Sequence, residues 1–363
     1  MRRALHKRTP MGTVAIIGAG VAGLAAGRAL ARDGYPVSLF EKSRGLGGRV
    51  ATRRIAGFAI DHGAQVFKAP APSFQSLVTE IDGARAIAQP VWTFTSDGQI
   101  SPGDPAQAAE ASWTWPGGIN TLARYLARGL VVHREVTITA LRQVEMGYEL
   151  VDASGQRSGP FAAVLLTPPA PQSAAILAAS AIDPTVQAQL LDALAPARYR
   201  PCLSLAFAYP RRPAPPWYAL LNLDRRHPIA WLACEHVKPD RAPAGHGLLL
   251  AQMAPAWSEQ HWEALPRGTY GGAAPLPVAL TAVHGLIGAL LGADPGAPLW
   301  VDVQRWRYAL ADAPCAPAAS AGIAGLFVAG DMVAGQGRVH LAIASGWAAA
   351  ARIAAALGER QDG

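Results

Sequence analysis

Between positions 13 and 49 the chain reads TVAIIGAGVAGLAAGRALARDGYPVSLFEKSRGLGGR, and this stretch constrains the fold more than any other. Residues 13–17 form a short apolar run of the kind that makes a strand buried on both faces. The run enters Gly18-Ala19-Gly20-Val21-Ala22-Gly23 directly, and residues 21–31 follow as a small-residue helix. Gly18 permits the sharp bend, Gly20 lets the backbone approach a pyrophosphate, and Gly23 lets the helix pack closely on the strand. The free N–H groups of Val21 and Ala22 and the positive end of the helix dipole then point at the phosphates. Residues 36–40 read as the second strand, ending in Glu41, an acid about twenty residues past the glycines and so placed for ribose hydroxyls. Strand, glycines, helix, strand and acid in this order predict an α/β dinucleotide-binding unit.

A second glycine turn follows at once. Lys42-Ser43-Arg44-Gly45-Leu46-Gly47-Gly48-Arg49 offers backbone amides and a guanidinium to a further set of phosphate oxygens. The arrangement resembles the GG-x-x-R motif of the flavin amine oxidase superfamily, which binds FAD, whereas a nicotinamide-only domain has no need of it. The resemblance implies that Gly18, Gly20, Val21, Ala22, Gly23, Glu41, Lys42, Gly48 and Arg49 hold FAD. In the same superfamily, and its renalase-like branch above all, a D-x-G-A-Q segment lies against the flavin. Here that segment is Asp61-His62-Gly63-Ala64-Gln65, and Gly63, Ala64 and Gln65 are the expected contacts. Residue types alone make His62 a turn histidine before a catalyst.

Composition bounds the remainder. At 363 residues with 51% hydrophobic side chains the chain can bury two moderate cores. The net charge of +7 comes from arginines dispersed among alanines and prolines; the four lysines are Lys7, Lys42, Lys68 and Lys238. With no basic block beyond residue 8, a nucleic-acid face is disfavoured. Cys202, Cys234 and Cys315 are far apart and odd in number, which suggests no disulfide framework, no metal site and a reducing, cytoplasmic compartment. Residues 1–10 are basic without an apolar region behind them and read as a flexible extension. The uncharged stretch 271–293 carries Pro275, Pro277 and His284 and reads as a loop and a buried helix, not a membrane span.

The pattern predicts a discontinuous FAD-binding Rossmann-like domain of amine oxidase type at 11–68, 117–170 and 300–363, with an inserted mixed α+β substrate domain at 69–116 and 171–299. Strand-like runs at 50–55 and 58–61 precede the Asp61 turn, and a helix begins after Pro116-Gly117-Gly118. Further strands are expected at 130–133, 136–144, 148–153 and 161–167. In the substrate segment, helices at 173–179 and 184–194 lead into strands at 202–209, 217–223, 229–235 and 248–253. Its aromatics Trp217, Tyr218, Trp231, Trp257 and Trp262 are individually core residues before pocket residues, and as a set could wall a flat apolar site. Residues 299–308 read as a strand, 325–331 as a buried strand ending in Gly330-Asp331, and 339–357 as a long alanine-rich helix.

The resemblance adds roles to these segments. It implies that Val136 touches the adenine through its backbone, that Thr167 approaches the dinucleotide, and that Gly330 and Asp331 close on the ribityl chain. It also places Arg338 and Val339 at the pyrimidine end, where a helix N-terminus stabilises negative charge. The motifs at 18–49 and 61–65, with Trp257-Ser258, Trp306 to Ala309 and Gly337-Arg338-Val339, are similar to bacterial renalase-like flavoproteins. These oxidise misreduced dihydronicotinamides, passing a hydride to non-covalently bound FAD and electrons to O2. Trp306, Tyr308, Trp231 and Trp257 become the candidate substrate-pocket residues. The chain departs from that pattern at Glu235 and His236, where relatives often carry asparagine, and at His340, where they carry glutamate. Two other readings stay open, a flavin amine oxidase or desaturase acting on an amine or apolar substrate, and a non-catalytic flavin-binding redox sensor. The sparse lysines weigh mildly against an amine oxidase that keeps a lysine at the flavin.

Overall fold

The structure, a computed structural model, describes residues 12–103, 110–272 and 274–362. The expected extension at residues 1–10 lies outside them. By its packing the chain falls into two compact units: Met1–Gly48, Ala123–Arg198 and Ala311–Gly363 in one, Arg49–Leu122 and Tyr199–Leu310 in the other.

The first unit is built on Val14–Ile17, all four residues of which are buried. This strand pairs in parallel with Val37–Glu41 on one side and Ala163–Leu166 on the other. Leu326–Val328 and Val131–Arg134 extend the sheet at its two edges, again in parallel. Parallel strands need cover on both faces, and part of it comes from the helices Val21–Arg32 and Val339–Asp362, which pack on each other. Their approach is so close that a Cβ on Gly346 would stand 2.2 Å from the Ala22 carbonyl oxygen. Val339–Asp362 is long and apolar enough to cross a membrane by composition. Within the unit, however, Ile343, Ala349, Ile353 and Leu357 are buried along it, as in a core helix. A separate antiparallel sheet joins Ile138–Val144, Gly147–Asp152 and Arg157–Phe161. Its third strand is hidden in the sequence because Gly159-Pro160 reads as a turn.

The second unit is organised by an eight-stranded sheet. Its order is Gly268–Gly271, Trp300–Ala313, Arg198–Tyr209, Gly247–Met253, Ile229–Cys234, Ala219–Asn222, Val91–Phe94 and Ile100–Pro102. Side chains alternate between the faces of such a sheet. Leu203, Leu205, Phe207, Leu249 and Ala251 point one way, into the main core with the helix Val278–Leu291. Ala206, Ala208, Leu248 and Leu250 point the other way, under the hairpin Arg53–Ile55/Phe58–Ile60.

The packing units divide the chain at four places other than the expected boundaries, the smallest difference being residues 117–122, which group with the second unit. Residues 49–68 group with the second unit because Phe58 and Ile60 bury against its sheet. Most of Trp300–Ala313 also groups there because it is a sheet strand between Gly268–Gly271 and Arg198–Tyr209. Residues 171–198 group with the first unit, where Ala181 N–H donates to Leu141 O at 2.8 Å. The helix Pro72–Glu80 has no counterpart in the sequence reading, since its prolines and short length disguise it.

Candidate active site

Three adjacent parallel strands end at the same level in the first unit, with Ile17, Leu166 and Val328 in register. Gly18, Thr167 and Gly330 follow within two residues of those ends, at the carboxyl edge where open α/β sheets bind ligands. Gly23 lies so near the turn that a Cβ would stand 2.2 Å from Gly18 O, whereas a Cβ on Gly20 would meet nothing within 4 Å. Gly20 also caps the helix Val21–Arg32 without a side-chain acceptor. Open space beside uncapped helix N–H groups is what a pyrophosphate requires, so the residues present fit the phosphates of a dinucleotide.

The two glycine turns are joined directly. Gly47 N–H donates to Ala19 O at 2.8 Å. The buried Glu41 carboxylate accepts from Ala19 N–H at 2.8 Å through one oxygen and from Ser43 N–H at 2.7 Å through the other. Glu41 therefore sets the spacing of the turns. Thr167 plays a comparable part, because its hydroxyl donates to Ile17 O at 2.8 Å and lies 3.1 Å from Gly18 O. Val136 N–H is used by Glu41 O at 3.0 Å. Lys42 is exposed and donates to Gln172 Oε1 at 3.2 Å. Gly330 N–H donates to Ser345 Oγ at 3.0 Å, Asp331 is buried, Arg338 is exposed and Val339 starts the long helix.

In the second unit the loop 61–65 lies on the sheet face opposite the main core. Gly63 is the only residue type that fits there, since a Cβ would stand 2.0 Å from Arg49 O, and Ala64 N–H donates to that same oxygen at 2.8 Å. The Arg49 guanidinium, expected at phosphate, donates to Tyr308 O at 3.3 Å and Ala309 O at 3.2 Å. A row of polar side chains crosses the sheet, with Trp231 opposite Gln252 and Gln252 opposite Ser204. Trp231 Nε1 donates to Gln65 Oε1 at 2.8 Å and Gln252 Nε2 to Gly63 O at 2.7 Å. Trp306 Nε1 donates to His62 O at 3.0 Å, and the two rings stand 5.4 Å apart.

Around this loop His62 Nδ1, Gln65 Nε2, Ser204 Oγ, Glu235 Oε2 and Gln304 Oε1 are buried with no hydrogen-bond partner among the described residues. Each such group costs about 1–3 kcal/mol. A concentration of them on one loop and one sheet face marks a surface kept for something other than stability. Burial, and secondarily the nearby Arg267 and Arg53, push the His62 imidazole down to about 4, so that it is neutral at ordinary pH.

Beneath the loop lies a charge cluster that sequence reasoning missed. Asp61, Glu235, Lys238 and Arg241 all have side chains 0% exposed. Asp61 Oδ2 accepts from Arg241 at 2.7 and 3.1 Å and from Lys238 at 3.1 Å, while Oδ1 accepts from Thr52 Oγ1 at 2.6 Å and Ile119 N–H at 3.1 Å. Burial alone would raise the Asp61 carboxyl, but Lys238, Arg241 and these hydrogen bonds hold it below its usual value. Glu235 goes the other way, because burial outweighs the pull of Lys238 and Asp61 adds to the rise. His236, the neighbouring departure, is a structural clamp. Its Nε2 donates to Pro213 O at 2.8 Å and its Nδ1 accepts from Leu248 N–H at 3.1 Å.

Trp231 and Trp306 thus meet the same loop, through Gln65 and His62. Tyr308 packs its ring against Tyr199 at 5.6 Å. Trp257 is not brought to this face. It packs against the main core and stacks on His261 at 4.0 Å, because the helix Pro255–Gln260 returns the chain to the opposite side of the sheet.

Residues 16–81 match the family model for an NAD(P)-binding Rossmann-like domain, and residues 87–354 match that for flavin-containing amine oxidoreductases. Among curated proteins, a 4,4'-diapophytoene desaturase (4,4'-diaponeurosporene-forming) of Staphylococcus haemolyticus is 42% identical over 57 residues. That match covers 16% of this chain and 11% of the desaturase. Among solved structures, cyclohexylamine oxidase from Brevibacterium oxydans superposes with a TM-score of 0.73 at 18% identity, covering 96% of this chain and 100% of that one. Putrescine oxidase bound to putrescine gives a TM-score of 0.68 at 14% identity, covering 95% and 99%. At such identities the superpositions speak for the fold. The family match extends over most of the chain, and with the glycine cradle it assigns the cofactor: the chain belongs to the flavin-containing amine oxidoreductases and is an FAD-dependent oxidoreductase.

Proposed function

We propose that the protein is a renalase-like oxidase that takes a hydride from a dihydronicotinamide, a misreduced NAD(P)H isomer or a close analogue. FAD, when bound, would supply a two-electron acceptor for the hydride and a route for those electrons to O2, giving peroxide. The donor loses one hydride and leaves as an aromatic nicotinamide cation.

The observation that carries this reading is that the loop and its sheet face hold groups suited to placing a ligand, while both lysines of the unit are engaged in bonds of their own. His62 is held neutral. Lys238 gives its three N–H bonds to Asp61, Glu235 and the Gln65 carbonyl, and Lys68 bonds the Glu110 carbonyl. Neither lysine of this unit is free to serve as the lysine that some amine oxidases keep at the flavin. Hydride transfer from a dihydropyridine needs a flat approach and little proton traffic, so positioning supplies most of the barrier reduction. The tasks left to this chain are to present Gln65, Trp231 and Trp306 to the donor and to exclude water.

In this reading the first unit holds FAD non-covalently through Gly18, Gly20, Val21, Ala22, Gly23, Glu41, Lys42, Gly48, Val136, Thr167, Gly330, Asp331, Arg338 and Val339. Arg49, Gly63, Ala64 and Gln65 are further expected FAD contacts, and Trp231 and Trp306 are the expected donor residues. Three buried free cysteines fit a reducing, cytoplasmic setting. A second reading, oxidation of an amine or desaturation of an apolar substrate, is favoured by the activities in the names of the cyclohexylamine oxidase, the putrescine oxidase and the desaturase. Peroxide release under air decides between them: production with 2- and 6-dihydronicotinamide isomers and none with amines supports the first, and the reverse supports the second.

A further inference from the structure

Gln65 belongs to a closed ring of hydrogen bonds inside the second unit. Its main-chain carbonyl accepts from Lys238 Nζ at 2.9 Å, and Lys238 Nζ lies 2.6 Å from Glu235 Oε1. The Tyr218 hydroxyl shares its one proton between the same Glu235 oxygen at 3.0 Å and Gln65 Oε1 at 3.3 Å, which completes the circuit. All four residues are buried. Trp231 adds a bond from outside the ring, its Nε1 donating to Gln65 Oε1 at 2.8 Å. An indole N–H can only donate, so this bond fixes the amide with its oxygen toward Trp231 and its nitrogen turned away.

Gln65 Nε2 is thereby left buried without a partner among the described residues. The Trp231 bond forces that outcome. Turned over, the amide would set its nitrogen against the Trp231 N–H, donor against donor. Glu235 stands where the two arms meet, because one oxygen takes both the ammonium that holds the Gln65 backbone and the hydroxyl that reaches its side chain.

We propose that Glu235 is a positioning residue: through Lys238 and Tyr218 it presets Gln65 so that Nε2 donates to a carbonyl oxygen of a bound molecule. The inference rests on the flavoenzyme reading above. A carbonyl is the chemistry that fits, since the amide nitrogen offers donors only. It is carried both by the pyrimidine end of FAD and by the carboxamide of a dihydronicotinamide. Glu235 acts on Gln65 through Lys238 and Tyr218.

Gln65→Leu in the holoenzyme separates the two sources. If the carbonyl is the cofactor's, the FAD dissociation constant rises about tenfold and the flavin spectrum shifts while the donor KM holds. If it is the donor's, FAD binding and spectrum hold while KM rises about tenfold, the worth of one such hydrogen bond. Tyr218→Phe and Glu235→Gln are expected to reproduce the same split at smaller amplitude. Tyr218→Phe removes a single hydroxyl and keeps the test readable should Glu235→Gln not fold.

A readout without FAD comes from the Trp231 indole N–H resonance in protein carrying isotope-labelled tryptophan, assigned with Trp231→Phe. It should move in both Tyr218→Phe and Glu235→Gln. A resonance that stays in place in both, or a Gln65→Leu enzyme with both constants unchanged, overturns the proposal. So does a lowered thermal midpoint in Tyr218→Phe with neither constant altered, which is what a merely structural role produces. A protein whose resonance moves but which takes up no FAD overturns the flavoenzyme reading and the ligand half of the proposal with it.

Discussion

Replacing Asp61 by asparagine tests the buried charge cluster most sharply. Asp61 and Glu235 balance Lys238 and Arg241, and all four side chains are withdrawn from water. Asp61→Asn keeps the shape but leaves one positive charge in excess. It also sets an amide nitrogen among donors, because the Arg241, Lys238, Thr52 and Ile119 bonds all end on the Asp61 carboxylate. Breaking a buried pair in this way costs about 3–5 kcal/mol, a large share of the 5–15 kcal/mol or so that holds a domain folded. Urea unfolding followed by tryptophan fluorescence, wild type against variant, reads the difference. The sign with pH follows from the depressed Asp61 carboxyl: its contribution is present above the unfolded value of 3.8 and is lost only as pH falls through the lower folded value. The difference should therefore be flat from pH 8 to 6. A loss below about 1 kcal/mol, set against the same 3–5 kcal/mol scale, or a loss that fades between pH 8 and 6, would refute the account of Asp61 as a paired buried carboxylate. Adding Lys238→Met to Asp61→Asn should recover part of the loss, since residues in one network couple.

The remaining predictions concern single residues. His62 is buried and neutral, with its imidazole lowered from 6.5 to about 4, so it contributes stability above pH 6.5 that disappears as pH falls toward 4. Between pH 7.5 and 5 the wild type should lose about 2 kcal/mol relative to His62→Gln; parallel pH profiles would count against this. Glu41→Ala removes the acceptor that ties Ala19 N–H to Ser43 N–H. It should weaken FAD binding about tenfold or more, the worth of a charge-assisted hydrogen bond, as measured by flavin release on titration. Trp306→Ala takes away the indole that bonds His62 O. The variant should retain FAD but reduce it at least tenfold more slowly in stopped flow, the scale of one lost placement contact; unchanged reduction removes Trp306 from the pocket.

The glycine cradle was legible in the sequence because its logic is local. The bend at Gly18, the approach at Gly23 and the acid at Glu41 fall within one strand-helix-strand unit, where period and spacing carry the information. The loop 61–65 was legible as a motif, and Gly63 could be read as a close approach, but what it approaches, the Arg49 carbonyl, was not. The cluster under it was invisible, since Asp61 and Arg241 are 180 residues apart and nothing in the local pattern says that Lys238 or Glu235 is buried. A polar residue in a run such as CEHVKPDR reads as a solvated turn, and only the fold reveals a core position. Trp257 failed for the converse reason. Its chemistry suited a pocket, and a short helix placed it on the wrong face of the sheet.

The most direct measurement is anaerobic mixing of the FAD-loaded protein with candidate donors while the flavin absorbance is followed. Rapid bleaching by 2- or 6-dihydronicotinamide isomers, with ordinary NADH slow and a panel of amines inert, is the predicted result. Bleaching by amines with the isomers inert would contradict the proposed donor, and a protein that takes up no FAD would contradict the assignment as a flavoenzyme.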